Sequence, residues 1–149
     1  KYINLETDRL KLFAVQSIMG NDPMYFSCDV GKQMNRDNGT LDTDNYDFGA
    51  LFHVEFGMDK AQRIWTFESG SSHGMALVAV DLGSDKKPEK WLLENSWGDS
   101  GYQGHLIMTD EWFDEYMFRI VIHKKYVEEE VLKVLDQEPV MLPPWDPMF

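Results

Sequence analysis

The chain has 149 residues, of which 43% are apolar, so it can form one domain with a hydrophobic core. Its net charge of −12 argues against binding to nucleic acid or to anionic membranes, because both need clustered Lys and Arg. No apolar run approaches the roughly 20 residues of a membrane-spanning helix. We expect a globular protein without a membrane span. The chain opens KYINLETDRL, without an initiator Met, as expected of a fragment or a processed product.

The first half of the chain contains a helix, a strand and a long polar stretch. TDRLKLFAVQSIMGND has apolar side chains at helical spacing from Leu10 and predicts an amphipathic helix that ends near Gly20. MYFSCDV predicts a short strand. The polar and acidic residues 31–47 predict a surface loop, and short helices are expected around residues 48–53 and 59–67.

The second half of the chain is rich in predicted strands. HGMALVAVDL is apolar at successive positions and predicts a buried strand; WLLEN, GYQGHLIMT and MFRIVIH predict three more. DEWFDEY predicts one helical turn and KYVEEEVLKVLDQ a final helix. EPVMLPPWDPMF contains four prolines and predicts an extended tail. The order of elements predicts an α+β fold with an antiparallel, barrel-like sheet, over residues 1–136, followed by a tail at 137–149.

Two of these strands present polar residues that suit thiol catalysis. A thiol peptidase needs a thiolate, an imidazole that transfers protons and a third group that orients the imidazole. His73 begins one strand, and Asn95 follows the next, where its amide oxygen would hold the ring. Trp97 would cover that hydrogen bond, and Gly98 allows a sharp turn. The alternative is structural: a buried histidine, a turn-capping asparagine and a core tryptophan.

SSHGMALVAVDL followed by KWLLENSWG resembles the His and Asn motifs of papain-like cysteine peptidases. CDVGKQMN, TLDTDNYD, GMDKAQRI, LIMTDEWFDEYMFRIVI and LPPWDPM resemble the bleomycin hydrolase and aminopeptidase C branch. The resemblance covers essentially the whole chain. It implies the sheet-rich half of a papain-like fold, with a C-terminal helix and an extended tail. It also implies that His73 is the catalytic histidine, Asn95 its orienting partner and Trp97 the residue that covers the pair.

The nucleophile is a separate question, because the chain has one cysteine, Cys28. A lone Cys is ordinarily a candidate nucleophile. Cys28, however, lies within MYFSCDV with no adjacent base and no helix N-terminus that would lower its pKa, so a buried, inert thiol is expected. The resemblance implies that the nucleophilic cysteine lies upstream, in a protein much longer than 149 residues. The chain is therefore expected to be the C-terminal portion, inactive alone.

The resemblance also implies the activity and the partners. Members of this branch are aminopeptidases because their C-terminal residues enter the cleft and meet the free amine of the peptide substrate. Phe149 is the candidate for that contact. The sequence stops before the few small residues that end other members, as expected of a shorter tail or of a truncated chain, so an endopeptidase is an alternative if the tail does not block the cleft. A catalytically silent binding or assembly domain is the second alternative. A homohexamer and a cytoplasmic location are expected by resemblance only.

No cofactor or metal is expected. The histidines other than His73 lack partners at metal-ligand spacing, and the acidic residues of the 31–47 stretch do not fit the EF-hand pattern. These residues are His53, His105 and His123, and Asp37, Asp42, Asp44 and Asp47.

Overall fold

The computed structural model describes residues 1–148, and within them one seven-stranded sheet curls into a half-barrel. Its strands are β1 Met24–Cys28, β2 Met34–Asn35, β3 Thr40–Leu41, β4 His73–Leu82, β5 Pro88–Glu94, β6 His105–Thr109 and β7 Met117–Val121. Their order is β2-β3-β6-β5-β4-β1-β7, and every neighbouring pair is antiparallel except β3 and β6, which are parallel. The predicted α+β class with a mostly antiparallel sheet is confirmed.

The helices are short apart from the first. They are α1 Thr7–Met19, α2 Phe48–Phe52, α3 Lys60–Trp65, α4 Ser100–Gln103, α5 Asp110–Tyr116 and α6 Glu129–Leu132, with 3-10 turns at Lys124–Tyr126 and Lys133–Asp136. Asp59 caps α3 reciprocally with Gln62, and the Thr109 hydroxyl caps α5. The predicted α1, α2, α3 and α5 are confirmed. Among residues 1–148, none of the helices is both long and apolar enough to cross a bilayer.

The core lies between one face of the sheet and the helices α1 and α5. Phe13 of α1 and Phe113 of α5 are 1% and 0% exposed. Trp91 of β5 stacks on Phe113 with ring centroids 5.0 Å apart, and Phe26 of β1 lies 5.9 Å from the same ring. Burial of each such side chain contributes about 2–3 kcal/mol, so this aromatic cluster stabilises the strands that border the site.

A buried lysine of α1 pairs with two carboxylates of α5. Lys11 is only 7% exposed, and its Nζ lies 2.6 Å from Asp110 Oδ2 and 2.7 Å from Asp114 Oδ1. Burial alone would lower the pKa of Lys11, but the hydrogen bonds to Asp110 and Asp114 outweigh it and raise that pKa. Trp91 Nε1 donates to Asp110 Oδ1 at 3.0 Å, so the carboxylate is held from two sides.

The prediction of a plain surface loop at residues 31–47 is wrong. The stretch forms β2 and β3, and β3 extends the sheet by pairing with β6, with Leu41 opposite Met108. Leu41 is 0% exposed and Met34 9%. A two-residue strand has no recognisable sequence periodicity, and its partner lies more than 60 residues away in sequence, so local sequence patterns did not reveal it.

Two other elements differ from their predicted form. Strand β4 has one buried face, with Met75 and Leu77 buried and most other positions half-buried or exposed. The expected final helix is broken into α6 and the 3-10 turn that follows it. Only Val131 is buried in α6, so tertiary packing supports just one helical turn.

The tail beyond residue 136 is largely exposed. Val140 and Trp145 are 87% and 77% exposed. The Asp146 N–H donates to the Pro143 carbonyl at 2.9 Å, which forms a turn near its end. Arg119 of β7 donates to the Met148 carbonyl at 3.3 Å, so the end of the described tail lies beside the outer strand of the sheet.

Candidate active site

The site forms where β4 begins and β5 ends. These strands are antiparallel neighbours, with Ala76 opposite Glu94, so the first residue of β4 lies near the residue that follows β5. Those two residues are His73 and Asn95. The hairpin therefore brings together two side chains that are 22 positions apart in the sequence.

The imidazole of His73 is held by the side chain of Asn95. His73 Nε2 lies 2.8 Å from Asn95 Oδ1, which also accepts a hydrogen bond from the Ser96 N–H at 2.8 Å. The Ser96 N–H can only donate, so the Asn95 amide atom that it contacts is the oxygen. An amide oxygen can only accept, so the His73 nitrogen that contacts it, Nε2, bears the proton. In the neutral ring, Nδ1 is then the basic nitrogen, free to exchange a proton with a reacting group.

The turn after β5 keeps Asn95 in place. The Asn95 N–H donates to the Gly104 carbonyl at 2.8 Å, which closes the loop between β5 and β6. Gly98 has φ +64° and Gly104 has φ +84°, and a Cβ on Gly104 would lie 3.0 Å from the Gly98 carbonyl oxygen. Both positions need glycine, because side chains are disfavoured in this left-handed region. The sequence motif Asn-Ser-Trp-Gly thus builds a tight turn as well as a polar contact.

Trp97 covers the histidine. Its ring is stacked on the imidazole, with centroids 4.6 Å apart and an angle of 29° between the planes. Trp97 is half-buried and packs against the hydrophobic core. A ring in this position limits the access of water to the His73–Asn95 hydrogen bond and so strengthens it.

The structure thus brings three of the four predicted site residues together. His73, Asn95 and Trp97 form one contact cluster, while Phe149 lies outside the described residues. Cys28 is 0% exposed within the core, and burial, together with the negative charge of Asp29, raises the pKa of its thiol far above the usual range. A thiol that stays protonated is a poor nucleophile, which agrees with the predicted inert role. The catalytic roles themselves stay predictions.

The model of the Peptidase C1-like family matches residues 1–149. The chain belongs to the Peptidase C1-like family. Aminopeptidase C from Lactococcus lactis subsp. lactis is 42% identical over 149 residues, which cover 99% of this chain and 34% of that protein. Bleomycin hydrolase from Rattus norvegicus is 46% identical over 151 residues, which cover 99% of this chain and 33% of that protein. This Peptidase C1-like chain therefore spans about a third of the length of these relatives.

A solved structure gives the same result for the fold. The crystal structure of PepW from Lactobacillus rhamnosis matches this chain with a TM-score of 0.91 at 40% identity, and the match covers 97% of this chain and 33% of that chain. The papain-like fold and the family predicted from the motifs are confirmed. The relatives of this Peptidase C1-like chain are cysteine peptidases.

Asp29 is a residue of the site region that sequence reasoning missed. It is 8% exposed, and its carboxylate accepts hydrogen bonds from Ser69 Oγ at 2.8 Å, Ser72 Oγ at 3.3 Å and the Gly70 N–H at 3.4 Å. These donors belong to the segment that leads directly into His73. The carboxylate therefore anchors that segment to the end of β1. The motif CDVG contains Asp29, but local sequence cannot show which distant segment a carboxylate contacts.

Arg36 was missed as well. Its guanidinium lies over the Trp97 ring, 5.3 Å from the centroid, in the hairpin loop between β2 and β3. A surface cavity of about 330 Å³ opens beside it. The cavity is lined by Val30, Gly31, Met34, Asn35, Arg36, Asp37, Tyr46 and Trp97. In this Peptidase C1-like chain the cavity adjoins the ring that covers His73.

Two acidic side chains of the 31–47 stretch have structural partners. Asp42 Oδ1 accepts the Asp44 N–H at 3.0 Å, and Asp47 Oδ1 accepts the Ala50 N–H at 2.8 Å as the N-cap of α2. Across residues 1–148, His, Cys, Asp and Glu side chains form no group of three or more that is arranged to hold a metal ion.

Proposed function

We propose that this chain supplies the histidine and asparagine side of the active site in a cysteine aminopeptidase, which releases N-terminal residues from peptides through an acyl-enzyme. The observation that supports it is the 2.8 Å contact between His73 Nε2 and Asn95 Oδ1 beneath the Trp97 ring, in a chain of the Peptidase C1-like family. This arrangement fixes the imidazole tautomer and leaves Nδ1 for the thiol, as nucleophilic catalysis by a cysteine requires.

In the proposed reaction, a cysteine thiol from outside residues 1–149 gives its proton to His73 Nδ1, and the resulting thiolate attacks the carbonyl carbon of the first residue of the peptide. The C–N bond of the resulting tetrahedral intermediate breaks, and His73 Nδ1 donates its proton to the leaving amine. His73 then takes a proton from water, whose oxygen attacks the thioester carbon. The C–S bond breaks, and the acid product and the thiol are released. Asn95, being neutral, holds the imidazole in place through both protonation states without accepting its proton.

The restriction to N-terminal residues is supported by the names of relatives, two of which are aminopeptidase C proteins of Lactococcus lactis at 42% identity. An endopeptidase is the alternative within the same chemistry. Peptides with a free amine and the same peptides with an acetylated amine separate the two: an aminopeptidase hydrolyses the first and not the second, because it recognises the ammonium group. Equal hydrolysis of both would replace the aminopeptidase by an endopeptidase.

The decisive experiment substitutes the site in the full-length protein that contains this chain. His73→Ala is expected to reduce kcat by at least about 10³-fold, since general acid–base transfer is lost. His123→Gln is the matched control, because His123 is exposed and outside the site. If the kcat of His73→Ala were close to the kcat of His123→Gln, the proposed function would be refuted. A wild-type protein that binds peptides without hydrolysing them would favour a catalytically silent binding domain.

We further propose that the full-length protein is a homo-oligomer, with the hexamer that the resemblance implies. Large apolar side chains are exposed outside the site within residues 1–148, which fits burial against the rest of the full-length chain or against another subunit. They include Phe52, Phe56, Trp65 and Phe67, each 62–72% exposed. Light scattering coupled to size-exclusion chromatography of the full-length protein measures its mass; a monomer at micromolar concentration would refute this assembly.

A further inference from the structure

We propose that Arg36 is a specificity-determining residue that binds a carboxylate of the leaving peptide in the cavity beside Trp97. This inference rests on the proposed peptidase function and deepens it. The carboxylate has two possible sources, which share one chemistry: the C-terminus of a short leaving peptide, or an acidic side chain near the new N-terminus. Guanidinium suits either, because its planar donors match the two oxygens of a carboxylate.

The position of Arg36 is set by the backbone of the β2–β3 hairpin. Asn35 pairs with Thr40, and the Asn38 N–H donates to Asn35 Oδ1 at 3.1 Å, so residues 36–39 form a tight loop. Gly39 has φ +66°, and a Cβ there would lie 2.9 Å from the Cα of Gly101. The hairpin therefore packs closely against the connection between β5 and β6, which also contains Asn95. Arg36 thus extends from a braced loop, which lowers the entropy lost when it binds.

The Arg36 guanidinium makes a cation–π contact with the Trp97 ring. Among residues 1–148 no carboxylate forms a salt bridge with Arg36, although the whole chain has 26 acidic and 14 basic residues. Asp37 also lines the cavity, but it does not pair with its neighbour. Stacking on Trp97 at 5.3 Å orients the planar group and leaves its donors available to a ligand.

Proton transfer from the imidazole to the leaving amine places Arg36 on the leaving-peptide side of the scissile bond. The acyl part of the substrate becomes attached to sulfur, whereas the imidazole gives its proton to the amine that departs, so the leaving peptide passes over the imidazole. Trp97 stacks on that imidazole at 4.6 Å, and Arg36 lies on Trp97. An extended residue spans about 3.5 Å, so the carboxylate of a leaving dipeptide lies about 7 Å beyond the broken bond. The Trp97 centroid lies 4.6 Å from the imidazole centroid and 5.3 Å from the guanidinium carbon, so these two groups are at most about 10 Å apart, a distance that two to three extended residues span.

The cavity has the composition expected of a peptide subsite. At about 330 Å³ it is at the small end of ligand pockets, and one or two residues would fill it. Val30 and Met34 provide apolar wall, Tyr46 and Trp97 provide aromatic surface, and Arg36 is the cation at its edge. Asp37 is the opposing charge, and it weakens binding of a carboxylate there. Removing it should increase the preference that Arg36 produces.

The test uses the full-length protein and two pairs of peptides that differ in one charge each. The first pair is Ala-Ala-Ala with a free carboxylate and the same tripeptide as an amide. The second pair is Ala-Glu-Ala amide and Ala-Gln-Ala amide. The initial rate of the first cleavage gives kcat/KM for each peptide. Wild type is expected to favour the charged member of at least one pair by about fivefold, as an exposed but stacked ion pair allows. The pair that responds identifies the source of the carboxylate.

Variants assign this preference to Arg36. The quantity compared is the ratio of kcat/KM for the charged peptide to kcat/KM for the uncharged peptide of the same pair. Arg36→Gln is expected to lower this ratio to about one, and Arg36→Lys to lower it to about half of the wild-type value. Asp37→Asn is expected to raise the ratio by about twofold. Lys87→Gln is the matched control, since it removes an equal charge from the 81% exposed side chain in the β4–β5 hairpin and should leave the ratio unchanged. Circular dichroism verifies that each variant is folded.

The outcomes separate this inference from the proposed function. If wild type hydrolyses the peptides, His73→Ala does not, and Arg36→Gln keeps the wild-type ratio, the Arg36 proposal alone is overturned. Equal losses on both members of each pair in Arg36→Gln also overturn it, because that pattern shows a structural role. If wild type shows no charge preference, the proposal fails as well. If His73→Ala remains active, the proposed function fails and the Arg36 proposal with it.

Discussion

Cys28 and His73 are opposite each other in the antiparallel pair of β1 and β4, yet the thiol is fully buried, and no hydrogen bond joins it to the imidazole within residues 1–148. Proximity of backbones alone does not make a nucleophile. Burial is the main cause that raises the pKa of the Cys28 thiol, and the neighbouring Asp29 charge adds to it. The only cysteine of the chain therefore remains protonated at neutral pH.

The first prediction concerns this thiol. A disulfide reagent at pH 8 should fail to modify Cys28 in the folded protein over minutes, and should modify it at once in 6 M urea, because only the thiolate reacts and only the unfolded chain forms it. In the full-length protein, Cys28→Ala should retain kcat within about twofold. Loss of turnover in a variant that remains folded would show that Cys28 takes part in catalysis after all.

The second prediction concerns Asp29. Asp29→Ala removes the acceptor of three donors in the segment before His73. Ser69 is the buried donor among them, and leaving its hydroxyl unpaired should lower the free energy of unfolding by about 1–3 kcal/mol. Because this segment positions the imidazole, kcat should fall by about tenfold or more, with little change in KM. Denaturant titration and steady-state kinetics measure the two effects.

The control for Asp29 is the exposed Asp37, whose replacement by Ala should change the unfolding free energy by less than about 0.5 kcal/mol. If Asp29→Ala lowered stability but left kcat unchanged at a temperature where the variant is folded, Asp29 would support the fold without positioning His73.

Much of this arrangement follows from the sequence, for identifiable reasons. The apolar runs that became β4, β5 and β6 are long enough for their period and flanking turns to predict strands. The placement of His73 near Asn95 follows from neighbouring strands joined by a hairpin, and the motif around Asn95 also specifies the glycine turn. Local pattern and site geometry agree here because the contact spans only 22 residues.

The parts that could not be predicted depend on contacts between distant segments. Strand β3 exists because β6 offers a free edge, and residues 31–47 contain no periodicity of their own. Arg36 reaches Trp97 only because that hairpin is part of the sheet. The final helix was overestimated because α6 finds just one buried contact, at Val131, and helix propensity without packing gives a single turn.

The third prediction concerns the pH dependence of stability. Burial lowers the pKa of Lys60 to about 8, against the favourable charges of Glu115 and Asp114. Its Nζ donates to the Asp114 carbonyl at 2.6 Å. Between pH 8 and 10.5 the unfolded chain holds a proton on this amine that the folded chain has released, so this group makes the unfolding free energy rise with pH across that window. Below pH 8 the Lys60 amine is charged in the folded chain as well, and the cost of burying that charge lowers the unfolding free energy by its full amount.

Lys60→Met tests this directly. The Met side chain carries no charge, so the variant has no cost of burying an ammonium group at any pH. The unfolding free energy of the variant minus that of wild type should therefore be about 2 kcal/mol larger at pH 7 than at pH 10. Urea titrations at pH 7, 8, 9 and 10 measure that difference. Lys87→Met, at a side chain that is 81% exposed, should show a difference that does not vary with pH. A flat difference for Lys60→Met would mean that the Lys60 amine keeps an ordinary pKa in the fold.

The fourth prediction concerns the ring that covers the histidine. Trp97→Leu should leave the backbone turn intact, because Gly98 and Gly104 define it, but should expose the His73–Asn95 hydrogen bond to water. We expect kcat of the full-length protein to fall by about tenfold, which corresponds to about 1.4 kcal/mol of transition-state stabilisation. Steady-state kinetics on one free-amine peptide measure this loss.

Two further variants separate shielding from bulk hydrophobicity. Trp97→Phe keeps an aromatic face for stacking and should recover most of the lost kcat, since a ring 4.6 Å away excludes water whether or not it is an indole. Trp145→Leu removes a tryptophan that is 77% exposed in the tail and should leave kcat within about twofold. If Trp97→Leu and Trp97→Phe lost equal activity, the indole itself would be required, and shielding by a stacked ring would not be the reason that tryptophan occupies this position.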